Sequence, residues 1–174
     1  MTTEAPAQTK SDASGPQADG GEQQLQLVTF VLGNEEFAVD ILTVKEINRM
    51  MRLTAVPESP KGVEGVINLR GRIIPVLDLR RVFGMQPAER NEHNRIVVVE
   101  VHSTVVGFIV DRVHEVLRIS SKIVEPAPAM VCSANSDFIA GVGKLDDRLL
   151  ILLDLARVVT TDMVESACAA GAQA

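Results

Sequence analysis

The side chains through which this chain could make or break bonds are few. His93, His102 and His114 are its only histidines, Cys132 and Cys168 its only cysteines, and Asp78 and Asp154 recur in matching contexts. A metal site needs three or four ligands that converge. The histidines fall in a polar linker (QPAERNEHN), in a turn and beside a β-rich segment. That spacing suggests no ligand set, so neither metal nor cofactor is expected. Cys132 with a distant histidine is equally weak as a nucleophile pair, since many chains contain both by accident. The N-terminus carries no secretion signal, so the cysteines read as free thiols of a cytoplasmic protein. Asp78 and Asp154 could be paired acids. Each also stands just before an apolar run, where Asp is a favoured helix N-cap, and that reading covers both at once. Phosphate-binding glycine loops, dinucleotide fingerprints, C-x-x-C and H-E-x-x-H are all missing. These residues point away from an enzyme.

The elements that would position them are mostly strands. Leu27 to Gly33 with Glu36 to Val39, Gly65 to Arg70 with Ile73 to Leu79, Arg95 to Val101 with Thr104 to Val110, and Phe138 to Leu145 with Leu149 to Leu153 are short β-prone runs paired across turn signals. Runs this short at this spacing suggest small barrels or sandwiches. Pro75 inside IIPVLDL predicts an edge strand or a bulge. The first 24 residues have no apolar period and should form a mobile tail. The last stretch, 161–174, is expected to begin as a C-terminal helix and fray. Charge follows the same division. Of the net −6, Glu4, Asp12, Asp19 and Glu22 against Lys10 place −3 in the first 24 residues, and Asp162 with Glu165 place −2 at the end, leaving −1 for the middle. A near-neutral core with five Phe, no Tyr and no Trp has neither the basic groove nor the stacking rings of a nucleic-acid binder. No apolar run is long enough to insert in a membrane.

The middle is internally repeated. GVINLRGRIIPVLDLRRV (Gly65 to Val82) matches GVGKLDDRLLILLDLARV (Gly141 to Val158) at a shift of 76, with Gly65/Gly141, Arg72/Arg148 and Asp78/Asp154 among the identities. Upstream, FAVD (Phe37 to Asp40) resembles FIVD (Phe108 to Asp111) at a shift of 71, and VKEI (Val44 to Ile47) resembles VHEV (Val113 to Val116) at a shift of 69. Two like lobes follow, about 25–90 and 91–160, within one 25–160 unit. Residues kept in both lobes belong to shared architecture, whereas exposed residues that differ are candidates for function. By that filter Asn68 and Arg70, which face Lys144 and Asp146, stand out.

VPESPKGVEGVINLRGRIIPVLDLRRVFG, Val56 to Gly84, resembles the signature stretch of CheW-type chemotaxis coupling proteins, and the similarity extends over about residues 25 to 160. The resemblance implies two five-stranded SH3-like β-barrels with a hydrophobic seam. It also implies a non-catalytic scaffold that docks the regulatory domain of the histidine kinase CheA and the cytoplasmic tips of chemoreceptors, with lobe-to-lobe contacts able to extend in rings. Arg70, the Arg of NLRG, is the residue it associates with coupling. Val44 and Glu46 fall near the receptor-facing surface, with Gly65 opening the next hairpin. Glu46 and Gly65 have repeat counterparts in Glu115 and Gly141, so both carry an architectural reading as well. Paralogous coupling proteins of twitching, gliding or surface-sensing systems have the same look, and nothing in the residues tells these pathways apart.

Overall fold

The computed structural model describes residues 23–59, 62–126 and 138–159. Both cysteines, nearly all of the expected N-terminal tail, and the C-terminal segment with its expected helix lie outside them. Among the described residues eleven strands form two sheets: β1 (Gln24–Leu32), β2 (Glu35–Asp40), β3 (Val44–Arg49), β4 (Val63–Leu69), β5 (Arg72–Asp78), β6 (Arg95–Val101), β7 (Thr104–Val110), β8 (Arg112–Ser120), β9 (Val124–Glu125), β10 (Ile139–Lys144) and β11 (Leu149–Leu153). One sheet runs β3-β6-β7-β5-β4 and the other β8-β1-β2-β11-β10-β9. Each has a single-turn helix after its Asp, α1 (Leu79–Val82) and α2 (Leu155–Val158). The Asp78 and Asp154 side chains accept from the backbone N–H of Arg80 and Ala156, which is the N-cap expected of them. The chain is mainly β, in two lobes of SH3-like type.

The lobes are not consecutive stretches of sequence. The hairpin β1-β2 joins β8 and β11, while β6-β7 joins β3 and β5. A division at residue 90 would therefore cut both sheets, and each half of the repeat lends its first hairpin to the other half's barrel. The pairings also correct the alignment of the halves. Phe30 pairs with Phe37 as Val99 pairs with Val106, and Ile47 meets Val97 as Val116 meets Val28, each 69 positions apart. FAVD and FIVD, aligned at 71, are thus two residues out of register, and the counterpart of Asp111 is Leu42.

This exchange explains the apolar runs. The largest core lies between the sheets and draws Val28, Phe30, Leu32, Phe37 and Val39 from one and Val97, Val99, Val101, Val106 and Phe108 from the other. Ile96 and Val98 point into a separate core with Ile67, Ile74 and Val76. RIVVVEV is nearly unbroken in hydrophobicity because β6 is buried on both faces. All five Phe are spent on the seam, four of them in a row of ring contacts, Phe30–Phe37–Phe83–Phe138, at centroid distances of 6.1, 5.6 and 5.7 Å.

Of the two expectations for Pro75, the edge strand fails, while the β4-β5 register shifts between Val63 and Gly65, beside the Val66–Pro75 pair. β5 is an interior strand, between β7 and β4. The proline is tolerated because its partner Val66 turns both backbone groups to Thr54, at 2.9 Å each. Pairing with β7 begins only at Val76, so no ladder bond calls for an N–H at position 75.

Candidate functional site

Arg70 sits at the tip of the β4-β5 hairpin, a two-residue turn closed by the Leu69–Arg72 pair. Its φ is 55° and that of Gly71 is 82°. Two left-handed residues make the turn whose twist suits a hairpin, and Asn or Gly is the usual first residue. An arginine there is strained and projects outward, its side chain 80% exposed. The Asn68 Oδ1 accepts the Gly71 N–H at 2.9 Å, so Asn68, itself exposed, shapes the turn. The counterpart loop at Asp146-Asp147 has no left-handed residue. The two lobes differ here in backbone as well as side chain.

β3 brings Glu46 under this tip. Its Oε2 lies 3.0 Å from Arg70 Nη1, and its Oε1 accepts the Asn48 side-chain N–H at 2.6 Å. A register shift between Val44 and Glu46 lets Val44 pack on the central core while Glu46 meets Val98. Val44 is half-buried. Arg70, Glu46 and Asn68 are thus gathered at one place, with Val44 just behind.

Gly65 is buried one strand residue from the bridge to Thr54, and a Cβ on it would stand 2.5 Å from the Thr54 carbonyl oxygen. Gly141 would meet Glu125 O at 2.9 Å in the same way. Both are close-approach glycines required by the duplicated architecture. Gly65→Ala is therefore expected to cost about 1–3 kcal/mol, because the obstacle is backbone and cannot rotate aside. Urea unfolding would measure it, and a midpoint equal to the parent's would remove this reading.

Sequence reasoning missed the rest of the surface. A groove of about 340 Å³ beside Glu46 is lined by Lys45, Leu69, Arg70, Arg72 and Val105. Lys45 reaches Glu100 at 2.6 Å. The exposed large apolar residues Ile47 and Ile73 have counterparts in Val116 and Leu149, also exposed. That coincidence was available from the repeat, but only burial makes it visible.

The twin position in the other lobe holds an ion cluster. Arg148 Nη2 donates to Glu115 Oε1 at 2.6 Å, and its Nε lies 2.7 Å from Glu36 Oε2 but is misaligned for a hydrogen bond. His114 Nδ1 is 2.8 Å from Glu36 Oε1. The bond to Glu115 holds the Arg148 guanidinium's pKa above its ordinary value against the opposing effect of desolvation, with Glu36 and Asp147 adding to it. Glu36, His114 and Glu115 could together approach a metal ion. The guanidinium already answers both carboxylates and would repel a second cation.

Two like β-barrels fused along one seam, with an exposed arginine turn and duplicated apolar positions, define a docking module rather than a catalyst. A CheW-like domain model matches residues 26–163, and the chain belongs to that family. It is 35% identical to the chemotaxis protein CheW of Helicobacter pylori over 153 residues, covering 88% of this chain and 92% of that one. Against the chemotaxis protein CheW of Klebsiella aerogenes it is 35% identical over 137 residues, covering 79% and 82%. The crystal structure of the scaffolding protein TtCheW from Thermoanaerobacter tengcongensis superposes with a TM-score of 0.75 at 36% identity, covering 82% of this chain and 97% of that one. The chain is a non-catalytic coupling scaffold of chemotaxis signalling. No helix among the described residues is long and apolar enough to cross a membrane.

Proposed function

We propose that this chain joins the cytoplasmic tips of chemoreceptors to the regulatory domain of a CheA-type histidine kinase, in the cytoplasm at membrane-bound receptor arrays, and that the Arg70 turn with Glu46, Asn68 and Val44 is a coupling surface. One observation carries the reading: an arginine kept in a strained, outward-facing turn where Asn or Gly would be more stable. Its planar fork can hold a partner carboxylate with two parallel bonds. The repeated exposed pairs Ile47/Val116 and Ile73/Leu149 support two like faces, one per lobe, as a scaffold linking several partners in rings needs. Gly65 supports this surface from beneath by fixing β4 against Thr54.

Reconstitution tests it. Purified chain, receptor cytoplasmic fragment and kinase are combined, and autophosphorylation is followed with and without the chain. Receptor-dependent activation that requires the chain is the expected result. Equal activation in its absence would overturn the proposal, and activation only with pilus-associated receptors would move the chain to a different pathway.

A further inference from the structure

The edge strand β8 exposes two arginines that no carboxylate among the described residues answers. Arg112, His114, Val116 and Arg118 are its exposed positions, alternating with half-buried ones. His114 is taken by Glu36, and the neighbouring Glu115 by Arg148. Arg112 and Arg118 have no carboxylate partner among the described residues. Among the described residues β8 pairs with β1 alone, and no described strand pairs with its other edge.

The start of the chain emerges beside this row. β1 runs antiparallel to β8, with Gln24 opposite Ser120 and Gln26 opposite Arg118, and Ser121 N–H donates to Gln23 O at 2.8 Å. Residues 1–22 precede that point and carry Glu4, Asp12, Asp19 and Glu22 against Lys10, half of the chain's net −6. Twenty-two residues can span about 70 Å when extended, against about 30 Å for β8. A tether this short keeps the acids at an effective concentration on the order of millimolar at the strand. Opposite charge, adjacency and reach therefore coincide.

We infer that the acidic N-terminal segment docks across the cationic edge strand β8 of its own molecule, where it shields the strip and competes with acidic segments of partners. β3 supplies an internal control. It is also an edge strand, with exposed Lys45, Ile47 and Arg49, but it belongs to the other sheet and pairs with β6 rather than β1. The inference does not depend on the coupling proposal, since it concerns the isolated chain.

The experiment places a nitroxide at Ser14→Cys in the full chain with Cys132→Ser and Cys168→Ser, and reads paramagnetic broadening of backbone amides by NMR. Amides of Arg112 to Arg118 should broaden several-fold more than those of Lys45 to Arg49. The excess should vanish in Arg112→Glu/Arg118→Glu and in about 1 M salt, where screening reaches only about 3 Å. Unchanged β3 and β6 resonances would show that the double variant folds. Equal broadening on β3 and β8, or broadening that survives the charge reversal, overturns the inference. So does broadening of an isotope-labelled, nitroxide-free chain mixed with an unlabelled nitroxide-bearing one, which would mean that the segment reaches a second copy. No broadening at β8 overturns it too, and leaves the strip to an acidic partner.

Discussion

Arg70→Glu is expected to abolish receptor-dependent kinase activation while leaving the fold intact. The side chain is largely in solvent, and its ion pair with Glu46 joins one exposed and one partly covered group. Such pairs contribute about 0–1 kcal/mol, and exposed substitutions usually stay within about 0.5 kcal/mol. A central arginine in an interface typically costs about 2 kcal/mol or more when lost, roughly a 30-fold change in affinity. Reversal adds repulsion from the partner carboxylate. Arg70→Asn sharpens the test. It would create Asn-Gly at two left-handed positions, the favoured composition for this turn, so stability should hold or rise as coupling falls. A purely structural Arg70 would give the opposite pattern, with Asn harmless to coupling and Glu harmful to stability. Urea midpoints and kinase activation measured on the same two variants decide between them.

The fold was legible because its signals are local. Turn residues and β-branched runs mark most of the strands, and the Asp N-caps mark both short helices. The hairpin exchange is not local. β2 and β7 each finish at a short crossing, and nothing in Ile41 to Thr43 or at Asp111 says which sheet the next strand enters. Phe37 and Phe108 share a residue type and FxVD surroundings, so similarity put them opposite each other. Pairing instead sets Phe37 against Val106 and Val39 against Phe108, because core volume can be shared between neighbouring positions. The candidate site divides in the same manner. Arg70 and Asn68 stood out by differing across the repeat, whereas Lys45, Arg72 and the groove beside them depend on neighbouring strands meeting.

Asp111→Ala should destabilise the fold far more than either substitution of Arg70. Asp111 stands where the chain passes from β7 in one sheet to β8 in the other. Its Oδ1 accepts the Arg80 Nε–H at 2.8 Å, and its Oδ2 accepts both the Gly33 N–H at 2.8 Å and an N–H of Arg80 Nη2. Arg80 Nη1 also donates to Gln86 O at 2.8 Å. One carboxylate thus ties the β1-β2 turn, α1 and the inter-sheet crossing. The other crossing has Leu42 and Ala156 at the equivalent places, so no second clamp shares the load. Removing one partner of a fully buried pair costs about 3–5 kcal/mol. Both groups here keep some solvent contact, so about 2–3 kcal/mol is expected. Burial alone would push the Asp111 carboxyl up, but the Arg80 hydrogen bond, the Gly33 N–H and the guanidinium charge together bring it below the ordinary carboxylate value. A depressed folded-state pKa stabilises the protein above the unfolded value, about 3.9, and that contribution fades as pH falls through the folded value. The stability gap between the parent and Asp111→Asn should therefore be constant above about pH 5 and close progressively below about pH 4. Urea midpoints for both proteins between those limits and about pH 2 would show it. A gap that stays constant to the acid end would mean that the carboxylate's charge contributes nothing to the clamp.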